Sequence, residues 1–139
     1  MTRSPREVVE FYNFELYNRR RYDLADELVA ESMLRHEVGG VTVMSRAQAR
    51  DRIETLCADV QDFVFTLLHT IVDGEYVCIV YQCDITRHDG TPDAISSIEV
   101  FHVVDGVITE VWNNPHQHGQ WSVPSPARDT SSTSDRSLT

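Results

Sequence analysis

"EYVCIVYQCDITRHDGTPDAISSIEVFHVVDGVITEVWNN", residues 75–114, alternates apolar and polar side chains over three successive runs. That period of two is the signature of strands with one buried face. Asp89-Gly90 and Asp105-Gly106 separate the runs, and Asp73-Gly74 sets off a fourth, "DFVFTLLHTIV" at 62–72. Asp-Gly between β-rich segments is a strong hairpin signal, because both residues tolerate the positive φ of tight turns. The second half of the chain therefore reads as an antiparallel meander.

Upstream the period becomes helical. In "SPREVVEFYNFELYN" (4–18), Ser4 is an N-cap, Pro5 opens the helix and Glu7 completes a capping box. Val8, Tyr12 and Leu16 follow at i, i+4, with Val9 and Phe11 widening the stripe. A second, short helix covers "DLADELVAE" (23–31) with Leu24, Leu28 and Val29 on one side, and "SMLRHEVGG" (32–40) reads as a strand. Ser45 and Gln48 form another capping box and start a third helix buried through Ile53, Leu56, Cys57 and Val60. Three helices followed by a meander predict an α+β domain over 1–121, with helices on one face of a strongly curved sheet. "SVPSPARDTSSTSDRSLT" (122–139) lacks useful apolar spacing and reads as a disordered tail.

Composition narrows the function classes. With 139 residues, 41% of them apolar, a single core suffices without stapling. The formal charge of −10 argues against nucleic acid, which requires clustered cations. No run is long and apolar enough for a membrane span. The charged N-terminus does not read as a signal peptide. Cys57, Cys78 and Cys83 are an odd number without a Cys-x-x-Cys pair, which fits free thiols in a reducing cytoplasm.

The order of these elements, with "EFYNFELYNRRRYDLADELVAESMLRHE" (10–37) and "IEVFHVVDGVITEVW" (98–112), resembles SnoaL-like proteins of the nuclear transport factor 2-like superfamily. The resemblance spans residues 5 to 121. It implies a cone-shaped fold, a deep and mostly apolar pocket for a small hydrophobic carbonyl-bearing molecule, and a homodimer formed through the outer sheet face. It further implies cofactor-independent acid–base chemistry of the ketosteroid isomerase or polyketide cyclase kind. A non-catalytic ligand-binding or interaction module in the same fold is the alternative.

Candidate site residues follow from strand parity and from the resemblance. Ser97, Glu99, Phe101 and Val103 share a face, and the apolar pair makes it the inner one. Ile108, Glu110, Trp112 and Asn114 share another, so Phe101, Glu110, Trp112 and Asn114 are expected to line the ligand site. By resemblance to ketosteroid isomerase, Tyr12 and a protonated Glu99 would donate to an enolate oxygen, and Glu37 would be the base. Alternation groups Glu37 with Met33 and Arg35 and puts His36 on the opposite face with Leu34, so either can be the base, depending on which face is inward. Tyr12 can equally be a core residue, and Glu99 a structural ion-pair partner of Arg35 or another arginine. Limonene-type epoxide hydrolysis is disfavoured, because Asp84 in "YQCDITRH" lacks an arginine two residues before it. Asn113 and Asn114 also stand where that reaction, or a cyclase, would want acids. His116 and His118 share a face if extended, but with no legible third ligand no metal is assigned, and a rim over the pocket mouth or a dimer contact is the preferred reading.

Overall fold

The computed structural model describes residues 2–121; the tail assigned to 122–139 lies outside them. Both capping boxes form. Ser4 Oγ accepts from the Glu7 N–H and starts α1 (Pro5–Phe11), and Ser45 with Gln48 starts α3 (Arg46–Ala58). Beyond Phe11 the first helix widens into a π-helical segment, Tyr12–Asn18. Asn13 Nδ2 donates to the Val9 carbonyl at 2.8 Å within this stretch. The second helix is shorter than its pattern predicts: a 3₁₀ turn (Tyr22–Leu24) leads into α2 (Ala25–Leu28), and Val29 already starts β1 (Val29–Glu37). Val29 is wholly buried and β-branched, and it suits a strand at least as well as a helix end.

A further strand, β2 (Gly40–Ser45), fills what the sequence left as a connection. Then follow β3 (Asp62–Asp73), β4 (Tyr76–Thr86), β5 (Pro92–Val104), β6 (Val107–Asn113) and the two-residue β7 (Gln117–His118). They form one sheet in the order β2-β1-β6-β5-β4-β3, with β7 added on β5. The long meander is antiparallel as its turns predict, but β1 lies parallel to β6, so the sheet is mixed. Parallel pairing leaves no hairpin signal in sequence, because the two strands are joined through the rest of the chain. In the β5–β6 hairpin Asp105 and Gly106 both take positive φ, 50° and 81°, as a two-residue primed turn requires. A Cβ at Gly106 would also meet Thr2 Cγ2 at 2.8 Å, so the Thr2 side chain would have to shift to admit it.

The core lies between the helices and the concave face of the sheet. Val8, Leu16, Leu28, Ile53, Ile79, Phe101, Val103 and Ile108 are all essentially inaccessible to solvent. The open edge at β3 is partly covered by the end of the π segment. There Asn18 imitates a neighbouring strand, donating to Phe65 O at 3.1 Å and accepting from Phe65 N at 2.7 Å. Among the described residues no helix is long and apolar enough to cross a membrane.

Candidate functional site

Core packing leaves a cavity of about 220 Å³ between the π segment, α3 and the concave face of the sheet. Tyr12 and Tyr17 enter from the π segment, Arg52 and Leu56 from α3, Arg35 from β1, Phe63 and Phe65 from β3, Tyr81 from β4, Glu99 from β5 and Asn113 from β6. The π register explains the tyrosine pair. Its i→i+5 bonding brings residues five apart onto one face, and the Tyr12 and Tyr17 rings meet edge to face with centroids 5.4 Å apart. Tyr12 also packs on Phe101 at 5.7 Å.

Glu99 sits where alternation places it, between the inward Ser97 and Phe101, and keeps partial exposure because it faces the cavity. Burial raises its carboxyl above the ordinary 4.5, against the opposing pull of Arg35 and Arg52. It is not an ion-pair residue: among the described residues no cationic nitrogen lies within 4.0 Å of it and it accepts no hydrogen bond. Burial likewise raises the phenols of Tyr12, Tyr17 and Tyr81, which stay protonated donors. Arg35 is only 8% exposed; with the Asn113 amide turned so that its oxygen faces the guanidinium, Arg35 Nη2 donates to that oxygen at 2.6 Å and the Asn113 amide nitrogen donates on to Asn114 O at 3.0 Å.

The other expected residues lie elsewhere. Met33 and Arg35 point inward, which turns His36 to the outer face; Glu37 shares the inward parity but stands exposed at the strand end, away from the cavity lining. Phe101 is wholly buried behind the cavity wall, as core. Glu110, Trp112 and Asn114 are not on the cavity side. His102 pairs with Glu110 but Val103 pairs with Ile108, so Thr109 is an extra residue in a β-bulge that reverses the parity of β6. Ile108 and Val111 therefore face the core, and Glu110 and Trp112 face out.

On that outer face Glu110 bridges two histidines, His36 Nε2 at 2.8 Å and His102 Nδ1 at 3.3 Å. His102 Nε2 meets Glu75 at 3.0 Å. Hydrogen bonds first to Glu75 and then to Glu110 raise the imidazole of His102, while the bond from His36 is the main cause lowering the Glu110 carboxyl. His36 stacks on Trp112 (4.8 Å, 5° between planes) and Tyr76 on His102 (4.3 Å, 10°). His116 and His118 reach the cavity lining at its mouth. There His118 Nδ1 lies 3.3 Å from Asp93, which Arg87 also grips.

Sequence reading missed Arg52, Tyr17, Tyr81 and Asn113. Arg52 stands three residues after Ala49 and four before Leu56, on the buried stripe, and Tyr81 shares parity with Val77, Ile79 and Cys83, so those two were legible. Asn113 was hidden by the bulge and Tyr17 by the π register.

Several solved structures share this fold. A proposed polyketide cyclase from Acidithiobacillus ferrooxidans superposes with TM-score 0.71 at 18% identity, covering 81% of this chain and 88% of that one. A SnoaL-like polyketide cyclase from Agrobacterium tumefaciens gives TM-score 0.70 at 14% identity, over 84% of this chain and 93% of that one. An LEH-like epoxide hydrolase from M. tuberculosis gives 0.66 at 16% identity, over 79% and 80%. No curated relative matches the chain. The SnoaL-like domain model matches residues 8–111, most of the chain, and the protein belongs to that family.

Proposed function

We propose that the protein binds a small carbonyl-bearing molecule in the inner cavity and moves a proton on it, with Glu99 as proton carrier. The observation behind this reading is an unpaired carboxyl in a cavity lined by aromatic, aliphatic and polar side chains, facing protonated phenols and two guanidinium groups. As carboxylate, Glu99 removes a proton from the carbon next to the carbonyl. The electron pair moves to oxygen, where phenolic hydrogen bonds and the cationic field hold the enolate. Return of the proton to another carbon gives isomerisation; attack of the enolate carbon on a second carbonyl gives ring closure. Neither outcome consumes an oxidant or reductant. His36 and Glu37 lie outside the cavity, so a single carboxyl serves as base and then as acid. The volume, about 220 Å³, suits a ligand of about one ring: a cavity of ~150 Å³ already holds benzene.

The reading extends to assembly and setting. The exposed aromatic outer face supports a homodimer of two copies of this chain, and three unpaired cysteines suit a reducing cytoplasm.

The test follows deuterium uptake into a one-ring enolisable ketone by NMR. Wild-type protein is expected to catalyse exchange, and Glu99→Gln to lose roughly 10²- to 10⁴-fold of the rate. Retained exchange in the variant rejects Glu99 as the carrier. Binding without exchange in the wild type makes the domain a ligand-binding module.

A further inference from the structure

We infer that the cavity ligand is a carboxylate, a small acid of about one ring whose anionic group sits between the guanidinium groups of Arg35 and Arg52. This names the substrate class of the proposed site and rests on that reading only for the carbonyl end that would face Glu99.

Among the described residues the arginines divide into three sets, one of which, Arg20 and Arg46, donates to the backbone carbonyls of Gln61 and Val29. Arg3, Arg6, Arg19, Arg21, Arg50 and Arg87 each meet a carboxylate at the surface. Arg35 and Arg52 point inward, and among the described residues neither has a carboxylate oxygen within 4.0 Å. In a chain with 22 acidic residues, two inward cations left without anions are not a shortage of partners. A guanidinium as buried as Arg35 is costly unless its charge is compensated, and the amide oxygen of Asn113 is neutral. Arg52 faces the phenol of Tyr17, also neutral.

Glu99 does not close this gap. Both guanidinium groups act on its carboxyl, yet neither touches it, so the three groups stand around an open space. A structural ion pair would bring them into contact. Ionised, Glu99 offsets one of the two cations; protonated, it offsets none. The deep part of the cavity is therefore net positive either way, inside a chain of formal charge −10. At the mouth, Arg87 and His118 share Asp93, with Asp59 and His116 beside them, so the excess positive charge is confined to the interior. A planar fork of donors suits a carboxylate better than a neutral carbonyl.

Calorimetric titration of the full chain at pH 7 and low salt with benzoate and with benzamide, its uncharged near-isostere, tests the inference. Benzoate is expected to bind roughly tenfold or more tightly than benzamide. Arg52→Gln and Arg35→Gln are each expected to weaken benzoate by about tenfold or more, and to weaken benzamide by a smaller factor. Glu99→Gln is expected to tighten benzoate by removing a competing negative charge. Equal affinity for the two probes, binding of neither, or benzoate affinity unmoved by Arg52→Gln overturns the inference. Should Arg35→Gln fail to fold, Arg52→Gln and the wild-type comparison still decide. The proposed proton transfer fails separately: benzoate can show the expected pattern while Glu99→Gln leaves ketone exchange untouched, and the reverse is equally readable.

Discussion

At Glu99 a carboxyl is buried without a cation in contact. Its folded-state pKa lies above 4.5. The folded chain thus holds that proton more tightly than the unfolded chain does. By linkage, the associated stability is fully present below pH 4.5 and is lost as pH rises through the folded pKa. Glu99→Gln keeps the shape and removes the ionisation. Thermal unfolding across pH is expected to show the variant matching wild type below pH 4.5 and exceeding it at pH 8. A wild type more stable than the variant at pH 8 would mean that the carboxylate is paired, against the open geometry described above. A carboxyl built only for stability would not be left in this position, so the lost stability is itself a sign of a site.

Between residue and sheet, the elements that shape the cavity depend on local departures from regularity. Asn18, at the end of the π segment, ties the helical layer to β3 by accepting from Phe65 N and donating to Phe65 O. Asn18→Ala strands both backbone groups where they are partly covered, and is expected to cost about 1–3 kcal/mol in urea unfolding. Asn18→Asp, which keeps the acceptor and loses the donor, should fall between alanine and wild type. A neutral alanine variant would show that the two backbone groups are satisfied by water. Such departures also set how much of the site could be read from sequence. Both capping boxes, the hairpin turns and the inward parity of Glu99 were legible, because each follows from residues a few positions apart. The outward turn of Glu110 and Trp112 was not, since the Thr109 bulge adds one residue without any compositional mark. Tyr17 was hidden for a similar reason: α-helical spacing joins Tyr12 to Leu16, whereas the π register joins it to Tyr17. The parallel β1–β6 pairing depends on the whole chain and has no local signature.

At the scale of the molecule, the sheet has two faces of opposite character: a concave one around a cationic cavity and an outer one rich in aromatic rings. Trp112 remains 37% exposed and Tyr76 45%, with Ile98 at 42% beside them on the outer side of β5. These rings are ordered without being covered. Trp112 lies flat on His36, Tyr76 lies flat on His102, and Glu110 ties the two histidines together. A rigid aromatic patch loses little side-chain entropy on association, which is what makes tryptophan and tyrosine effective interface anchors. The proposed homodimer places this patch of one copy on that of another, related by a two-fold axis. Such an arrangement leaves both cavities on the far side of their sheets and free to bind independently. Trp112→Glu places a charge in the middle of the patch without touching the core or the cavity. Analytical ultracentrifugation of wild type is then expected to give twice the 15.9 kDa chain mass, and the variant the single-chain mass with its fold and cavity binding intact. A monomeric wild type, or a variant that still dimerises, would remove the outer face from the interface and leave its histidine–carboxylate cluster to be explained by stability alone.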